Sequence, residues 1–567
     1  MPRMDRTDVL VVGAGPTGLT AACELLRRGL SVRLVDRAAA ASERSRANLV
    51  QARALEILDD LGLAEDVVAR GVKLRGATMW AGGEVIASVE LDELESRFPF
   101  AVSLSQAELE AALIAKLEKL GGRVERGVEL VSFRQDGTGV TATLRSKEST
   151  EEARAAWLVG ADGTDSTVRE RLEMPFSGAS HDEAFWIADV AIRWDIRDDR
   201  ISTWLAEEGL VACFPMKGGR WRVLATEPEG DEGRGAPTLE DVQTIFERRT
   251  SSGGVLSDAT WLARYRASCR QVEHYRDDRV FLAGDAAHAQ SPIGAQGMNT
   301  GIQDAQDLAW KLALVHRGYA RGLLLDGYET ERRAVGQAML KSSDPAAKLA
   351  TIKNPVARAV RTEIGKSLAS LDVVQQRVAR DAPELSVGYE SSPLVREDKL
   401  SMLQARIGTA AGGETPTLAA IRDFESGPRP GSRAPDGRVS LAGAEGTKRL
   451  AEIVDGRTFT LLLFDGRHES DAGYQRYAQI HDAVAQRYGA RVQTYVVTPR
   501  PTRPPQLPDS IAVLLDRDAE LEKRFAATTE CLYLIRPDFH IGYRSQPIDA
   551  AKLEGYLRSL LRPQPAL

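Results

Sequence analysis

Cysteine and histidine are scarce in this 567-residue chain, with four of the first and seven of the second. Cys23, Cys213, Cys269 and Cys531 are far apart and form no CxxC pair, and no histidines group at zinc-ligand spacing. A disulfide framework and a zinc module are thereby excluded, so no metal is expected, and a reducing interior is the simplest setting. Long apolar runs are also missing. Residues Met1 to Arg6 lead straight into a short apolar strand, and no stretch suits a secretory or membrane-spanning helix, so the expectation is a soluble cytoplasmic protein with no membrane span. There is no basic excess either. The 74 Lys plus Arg face 81 Asp plus Glu for a net charge of -7, which gives no electrostatic reason to expect a nucleic-acid partner.

What is present is globular. The composition is 43% hydrophobic and 27% charged, enough apolar material for sizeable cores. At about one domain per 150 residues the chain holds roughly two to four domains. It carries no internal repeat and no low-complexity tract.

The first element is a buried-strand run, Asp8 to Val12, followed by Gly13-Ala14-Gly15-Pro16-Thr17-Gly18. Leu19, Ala22, Cys23 and Leu26 then recur at helical spacing, and Gly29 stands where a C-terminal cap belongs. Ser31 to Val35 is the next strand, with Asp36 at its end, 23 positions after Gly13. Strand, glycine turn, helix, strand and acid in this order describe a dinucleotide-binding unit. The first glycine permits the tight turn, the second lets backbone approach a pyrophosphate at the helix N-terminus, and the third lets helix pack on strand.

Short strands at Ala77 to Trp80, Val85 to Val89 and Ala101 to Leu104 interrupt that pattern. Ser105 is placed to cap the next helix, with Glu108 at the capping-box position. Strand-like runs follow at Arg123 to Phe133, Val140 to Leu144 and Trp157 to Gly160. Alternating segments between about 184 and 273 predict a largely antiparallel sheet. Arg279 to Ala283 returns to the buried-strand pattern, ahead of Gly284-Asp285-Ala286-Ala287-His288 and a helical stripe of Ile302, Ala305, Ala309 and Leu312. Residues 340 to 400 read as mainly helical, and 409 to 440, rich in Gly, Pro and Ser, read as a linker. Beyond it, Phe459 to Phe464, Gln493 to Val497, Ile511 to Leu515 and Cys531 to Ile535 are strand candidates of a small α/β domain.

Three separated motifs coincide: Gly13-x-Gly15-x-x-Gly18 with Asp36-Arg37, Asp162-Gly163 through Arg169, and Gly284-Asp285 with Pro292 and Gly297-Met298-Asn299. Together they resemble the class A, single-component FAD-dependent aromatic hydroxylases. The resemblance runs over roughly residues 6 to 395, and Leu534-Ile535-Arg536-Pro537-Asp538 resembles the ending of the thioredoxin-like extension in the phenol hydroxylase and polyketide-tailoring branches. It implies an α/β fold class with a Rossmann-like FAD-binding domain, an inserted, mostly antiparallel substrate-binding sheet and a C-terminal thioredoxin-like α/β domain. The boundaries expected are 1–75, 105–183 and 274–340 for the FAD-binding domain, and 76–104 with 184–273 for the substrate-binding domain. A helical region at 341–408, a linker at 409–440 and a thioredoxin-like domain without CxxC at 441–567 complete the chain.

Carried over by position, the resemblance implies that Gly13, Gly15, Thr17 and Gly18 meet the FAD pyrophosphate and that Asp36, with Arg37 beside it, meets the adenosine ribose, where relatives often have Glu. Arg46 falls at the pyrophosphate or flavin edge, Gln106 on the adenosine side, Leu130 at adenine through its backbone, and Asp285 at the ribityl hydroxyls. Asp162 belongs to a motif that serves FAD and NADPH, with Arg169 supporting the turn; the plain alternative is a helix-start cluster that organises a loop. The helix beginning near Gln296 to Asn299, with Gly297 and Met298, is placed to stabilise negative charge on reduced flavin. The family commonly has Gly at Ala295 and Pro at Ser291.

The activity implied is hydroxylation of a small phenolic or polyketide-type aromatic substrate through a flavin C4a-hydroperoxide, with NADPH or NADH as transient reductant and dioxygen as co-substrate. Arg46, Asn48 and Pro292 are the catalytic candidates. In one branch a His follows the Arg-Ala pair matching Arg46-Ala47, whereas Asn48 cannot titrate and at most positions a hydroxyl. Phe214, Met216 and Pro292 are candidates for the substrate pocket, although strand aromatics and methionines also fill plain core. His288 is read as a structural hydrogen-bonding group. Baeyer-Villiger oxygenation, epoxidation and a non-catalytic dinucleotide-fold binding protein stay open, as does the choice between monomer and homodimer.

Overall fold

The computed structural model describes residues 7–41, 47–228, 235–290, 296–350, 381, 383–399, 417–467 and 473–564, with the backbone alone described at 179–183, 267 and 342–350. The chain divides into two compact units, Met1–Gln306 with Arg332–Leu385, and Asp307–Glu331 with Ser386–Leu567.

In the first unit, Thr7–Val12 lies between Val32–Asp36 and Thr150–Gly160, parallel to both. Val124–Arg126 and Val280–Leu282 extend the parallel sheet on either side. Burial of Val9, Leu10, Val11 and Val12 follows from this central place, since a parallel strand has both faces covered. The helix Pro16–Arg27 buries Leu19, Ala22 and Cys23, and Gly29, at φ +74, turns the chain beyond it. Ser105 caps the helix Gln106–Lys119 by accepting from the Glu108 N–H at 3.3 Å. The reciprocal half of the capping box is not made, because the Glu108 carboxylate pairs with Arg70 at 3.1 Å.

A second sheet of the same unit runs in the order His288–Ala289, Val255–Val272, Phe176–Arg193, Arg220–Thr226, Gly209–Met216, Arg200–Ala206, Gly76–Ala81, Glu84–Glu90. Only the Arg200–Ala206 pairing with Gly76–Ala81 is parallel. The third early strand departs from expectation. Ala101–Ser103 pairs with Leu49–Val50 and Val72–Leu74 in a separate small sheet, since its burial on both faces suits a sandwiched strand and not an edge of the larger sheet.

The second unit is built on an eight-stranded sheet that contains Phe459–Phe464, Val492–Thr498, Ala512–Leu515 and Cys531–Ile535. Leu461 and Leu463 pack in one core with Tyr477, Val496 and Leu557, while Leu462 and Phe464 pack in another with Phe525 and Tyr533. This is the period-two alternation of a strand buried on both sides. Trp310 and Leu324 join the first of these cores. Lys311 donates to Asp307 at 2.7 Å, Arg536 donates to Glu331 at 2.6 Å, and all four side chains are 2% exposed or less. Among the described residues, Asp307, Glu331 and Asp538 form the group with metal-ligand spacing, but Lys311 and Arg536 already meet these carboxylates.

The stretch 409–440 is not simply a linker. It holds the helix Leu418–Ser426, capped by Thr417 and burying Ala420, Ile421 and Phe424, a helical stripe that the neighbouring Gly and Pro residues obscure. Within 341–408 the described residues include helix at 341–350, turns before 396 and the strand Arg396–Lys399. Among the described residues no helix is long and apolar enough to cross a membrane.

Candidate functional site

The glycine turn is shaped by close packing. Gly13 has φ +100, and a Cβ there would lie 2.3 Å from the carbonyl oxygen of Ala161. A Cβ on Gly18 would lie 1.9 Å from the Gly13 oxygen. Gly13 lets the tight turn lie against the end of Thr150–Gly160, and Gly18 lets the helix approach that turn. Gly15 differs, because a Cβ there would meet nothing within 4 Å. It stands at the N-cap of the helix Pro16–Arg27 and faces a cavity of about 440 Å³. Helix N–H groups at such an end attract phosphate.

The other two motifs converge on this turn. Thr17 packs against Gly284 and Gly301, its Oγ1 lying 2.6 and 2.2 Å from where their Cβ atoms would stand. Ser166 caps the helix Thr167–Arg171, and Asp162 braces that cap by accepting from Ser166 Oγ at 2.5 Å and the Val168 N–H at 3.1 Å. Burial pushes its carboxyl up from the ordinary aspartate range, and these hydrogen bonds oppose the shift. Arg169 donates to the carbonyls of Thr164 at 2.6 Å and Ala286 at 3.1 Å, tying the two motif loops together. His288 is structural in its contacts, with Nε2 2.7 Å from Asp304 Oδ2.

The cavity collects Gly15, Thr17, Arg37, Asn48 and Gln106 on one side, and Asp162, Asp285, Gly297 and Met298 on another. The antiparallel sheet closes it with Ile187, Phe214, Leu224, Arg222 and Tyr265. Pairing explains this wall, since Leu224 lies opposite both Ile187 and Ala212, and Arg222 lies opposite both Asp189 and Phe214. Alternate residues of neighbouring strands therefore share one face. Two buried amide donors, Asn48 Nδ2 and Gln290 Nε2, belong to wall residues and have no hydrogen-bond partner among the described residues. An orphaned buried donor is costly unless a ligand completes it.

Several expected residues lie elsewhere. Asp36 accepts from the N–H groups of Ala14 at 2.6 Å and Ala38 at 2.8 Å, so it shapes the turn behind the wall. The Asn299 side chain is spent on the small sheet, donating to Leu49 O at 3.0 Å and accepting from the Gln51 N–H at 2.9 Å. Leu130 is core beside Leu144 and is not on the wall. Met216 is also off it, because it sits opposite Arg220 at the turn end of its hairpin. Arg46, Pro292, Ser291 and Ala295 lie outside the described residues. Arg222, Tyr265, Gln290 and Gly301 carry no local motif, and only strand register or packing brings them here.

The wall fits a flavin dinucleotide. An open glycine at one helix N-terminus, a second helix beginning at Gly297 and unfilled amide donors supply contacts for phosphate and for polar ring edges.

Residues 6–343 match the family described as FAD binding domain. The 6-methylpretetramide 4-monooxygenase of Streptomyces rimosus is 34% identical over 99% of this chain and 94% of its own length. The solved anhydrotetracycline hydroxylase from Streptomyces rimosus superposes with a TM-score of 0.72 at 28% identity, covering 99% of this chain and 100% of that one. A ternary complex of aklavinone-11 hydroxylase with FAD and aklavinone gives 0.71 at 26%, covering 99% of each chain.

Proposed function

The chain belongs to the FAD-binding-domain family of flavin-dependent aromatic and polyketide monooxygenases, and from that premise we propose that it is an NADPH-dependent hydroxylase of a phenolic or polyketide-type ring. The family membership sets aside a non-catalytic binding protein. One observation carries the finer reading: Gly15, Asp162, Asp285 and Met298 share a single cavity with the apolar wall of Ile187, Phe214 and Leu224.

Bound FAD would supply the oxygen chemistry once reduced by NADPH and exposed to dioxygen. Gly15, Thr17 and the first turn of Pro16–Arg27 would hold its pyrophosphate, with Arg46 at the pyrophosphate or flavin edge, Asp36 would set the turn beside the ribose with Arg37 next to it, and Gln106 would complete the adenosine side. Asp285 takes hydroxyls of the linker, and Gly297 and Met298 present helix N–H groups to the ring edge. Ile187, Phe214 and Leu224 exclude water and hold the aromatic substrate flat. Asn48 would donate its unfilled amide N–H to a substrate or flavin oxygen, a positioning role, and Pro292, which falls between Gly284-Asp285 and Gly297 in the sequence, is kept as a candidate beside it. The C-terminal region serves as a stabilising or interface domain of thioredoxin-like form, without thiol chemistry, since Cys531 is a buried free thiol whose ionisation burial opposes.

Anaerobic reduction of the FAD-loaded enzyme by NADPH across a panel of phenols and polycyclic polyphenols tests the reading. A true substrate is expected to accelerate reduction and to yield a product heavier by one oxygen. Protein that cannot be reconstituted with FAD would refute it.

A further inference from the structure

Two helices begin on the cavity wall, and they are furnished differently. At Pro16–Arg27 the N-cap is Gly15, which has no side chain to offer and faces open space. At Gly297–His316 a side-chain donor stands beside the first turn. A Cβ on Gly297 would lie 3.4 Å from Gln290 Nε2 and 3.7 Å from its Cγ, so the glutamine amide lies against the first helical residue. Its Nε2 is buried without a hydrogen-bond partner among the described residues, while Gln290 itself lines the cavity. Rotation about the last side-chain torsion, which is soft in glutamine, carries that N–H toward a ligand.

The surroundings of this amide supply donors. The Thr300 N–H reaches Gln296 O at 2.9 Å, so the N–H groups of Gly297 and Met298 precede the first intrahelical bond. Both they and the Gln290 N–H carry positive partial charge, and they repel each other unless an acceptor oxygen lies within reach of both. The backbone that carries Gln290 is firmly held. His288 and Ala289 pair with Gln271 and Arg270 at the end of the antiparallel sheet, and His288 Nε2 lies 2.7 Å from Asp304 Oδ2. A buried donor left without an acceptor on so fixed a support costs free energy, and a ligand oxygen removes that cost.

A flavin dinucleotide has two groups rich in acceptor oxygens, its diphosphate and the pyrimidine edge of its ring. The open Gly15 end suits the diphosphate, which is a permanent anion. A neutral amide suits the other group. It serves an oxygen that is neutral in one redox state and anionic in the next, and it strands no buried charge in either. Resting on the flavin-monooxygenase reading, we propose that Gln290 Nε2 donates to the C2 oxygen of the flavin beside the helix N–H groups and thereby raises the reduction potential of the bound cofactor. Reduction places negative charge on the N1–C2 side, and a hydrogen bond to a charged acceptor is about twice as strong as one to a neutral acceptor. The bond therefore favours the reduced state over the oxidised one.

The test uses the full chain loaded with FAD that carries an NMR-active carbon isotope at C2 and C4. The two-electron potential is measured against a reference dye, and both carbon resonances are recorded in the oxidised and reduced states. Gln290→Met keeps the length of the side chain and removes the donor. It should shift the equilibrium about tenfold toward the oxidised state, which is about 30 mV for a two-electron couple, and should move the C2 resonance while C4 stays. Gln290→Glu keeps the shape but sets negative charge beside the same edge, so its potential should fall further, and it carries the test if Gln290→Met folds poorly. An unchanged potential with an unmoved C2 resonance overturns the proposal, and so does a shift at C4 alone. Weaker binding of a phenolic substrate at unchanged potential assigns the amide to the substrate and overturns it too. Wild type that takes up no FAD defeats the underlying reading, whereas wild type that takes up FAD and hydroxylates a phenol, with potential and C2 unmoved in both variants, defeats the Gln290 assignment alone.

Discussion

His288 Nε2 lies 2.7 Å from Asp304 Oδ2, with both side chains 3% exposed or less. The other Asp304 oxygen accepts from Arg332 Nε at 2.6 Å, and the Gly284 N–H reaches Oδ2 at 2.9 Å. Asp304 thus fastens the Gly284-Asp285 turn to the helix that begins at Gly297.

Burial by itself would raise the Asp304 carboxyl, but Arg332 and then His288 outweigh it and hold the group at about 2. The folded value lies below the unfolded one, so the stabilisation is complete above the unfolded pKa of about 4 and is lost as pH falls toward 2. That shift corresponds to on the order of 2 to 3 kcal/mol. Asp304→Asn should cost more, about 3 to 5 kcal/mol, because it strands a buried Arg332 cation. Denaturation followed by release of flavin fluorescence measures both effects.

The glycines at 15 and 18 should separate folding from binding. Gly18→Ala forces a Cβ onto the Gly13 carbonyl, and the apoprotein should lose several kcal/mol, on the order of 2 to 4. Gly15→Ala has open space in the protein, so apoprotein stability should change by less than about 1 kcal/mol. Its FAD affinity should nevertheless fall, because the methyl group occupies the pyrophosphate's approach. Thermal midpoints without FAD and a fluorescence titration with FAD distinguish the two variants.

Asn48 offers the reverse signature to a structural residue. Its Nδ2 is buried without a hydrogen-bond partner among the described residues, so Asn48→Ala removes a donor that the folded protein does not use. Stability should stay within about 0.5 kcal/mol, whereas kcat/KM for a good phenolic substrate should fall about tenfold if the amide holds a substrate or flavin oxygen. Equal catalytic efficiency in the variant would remove Asn48 from the site.

The buried cluster of the second unit makes a pH prediction of the opposite sign. Burial pushes Asp307 up to about 8, Lys311 pulls it down, and Glu331 and Asp538 add to the rise. The folded cluster holds a proton that the unfolded chain releases near pH 4, so its stabilisation is present at acid pH and fades as pH rises through about 8. Glu331 is held low, at about 2, and does not titrate in that window. Calorimetry of the full chain from pH about 6 to about 8.5 should show one transition falling with pH, and Asp307→Asn should flatten that slope.

The legible part of this protein is the part written locally. Gly13, Gly15 and Gly18 announce themselves because their roles depend on the absence of a Cβ a few residues from a strand and a helix. The Phe459 to Phe464 and Cys531 to Ile535 strands are apolar runs whose burial needs no partner to be guessed. The row of Arg222, Asp189 and Trp261 across neighbouring strands of the antiparallel sheet is a property of register among segments tens of residues apart, and no window of sequence contains it. Asn299 illustrates the converse. It stands in the expected motif, but its amide is taken by Leu49 and Gln51, some 250 residues earlier. Glu108 fits a capping box by spacing and still turns to Arg70, since an exposed arginine competes for the same carboxylate.

The Arg536 and Glu331 contact also has a consequence for how the protein is made. These partners are 205 residues apart, so at about 5 to 20 residues per second roughly ten to forty seconds of synthesis separate them. Throughout that interval Trp310, Lys311 and Glu331 have left the ribosome, while the strands and the guanidinium that will enclose them do not yet exist. The segment Asp307–Glu331 must wait with its apolar and charged faces uncovered, and nascent chains stalled in this window are the ones that should depend most on chaperones.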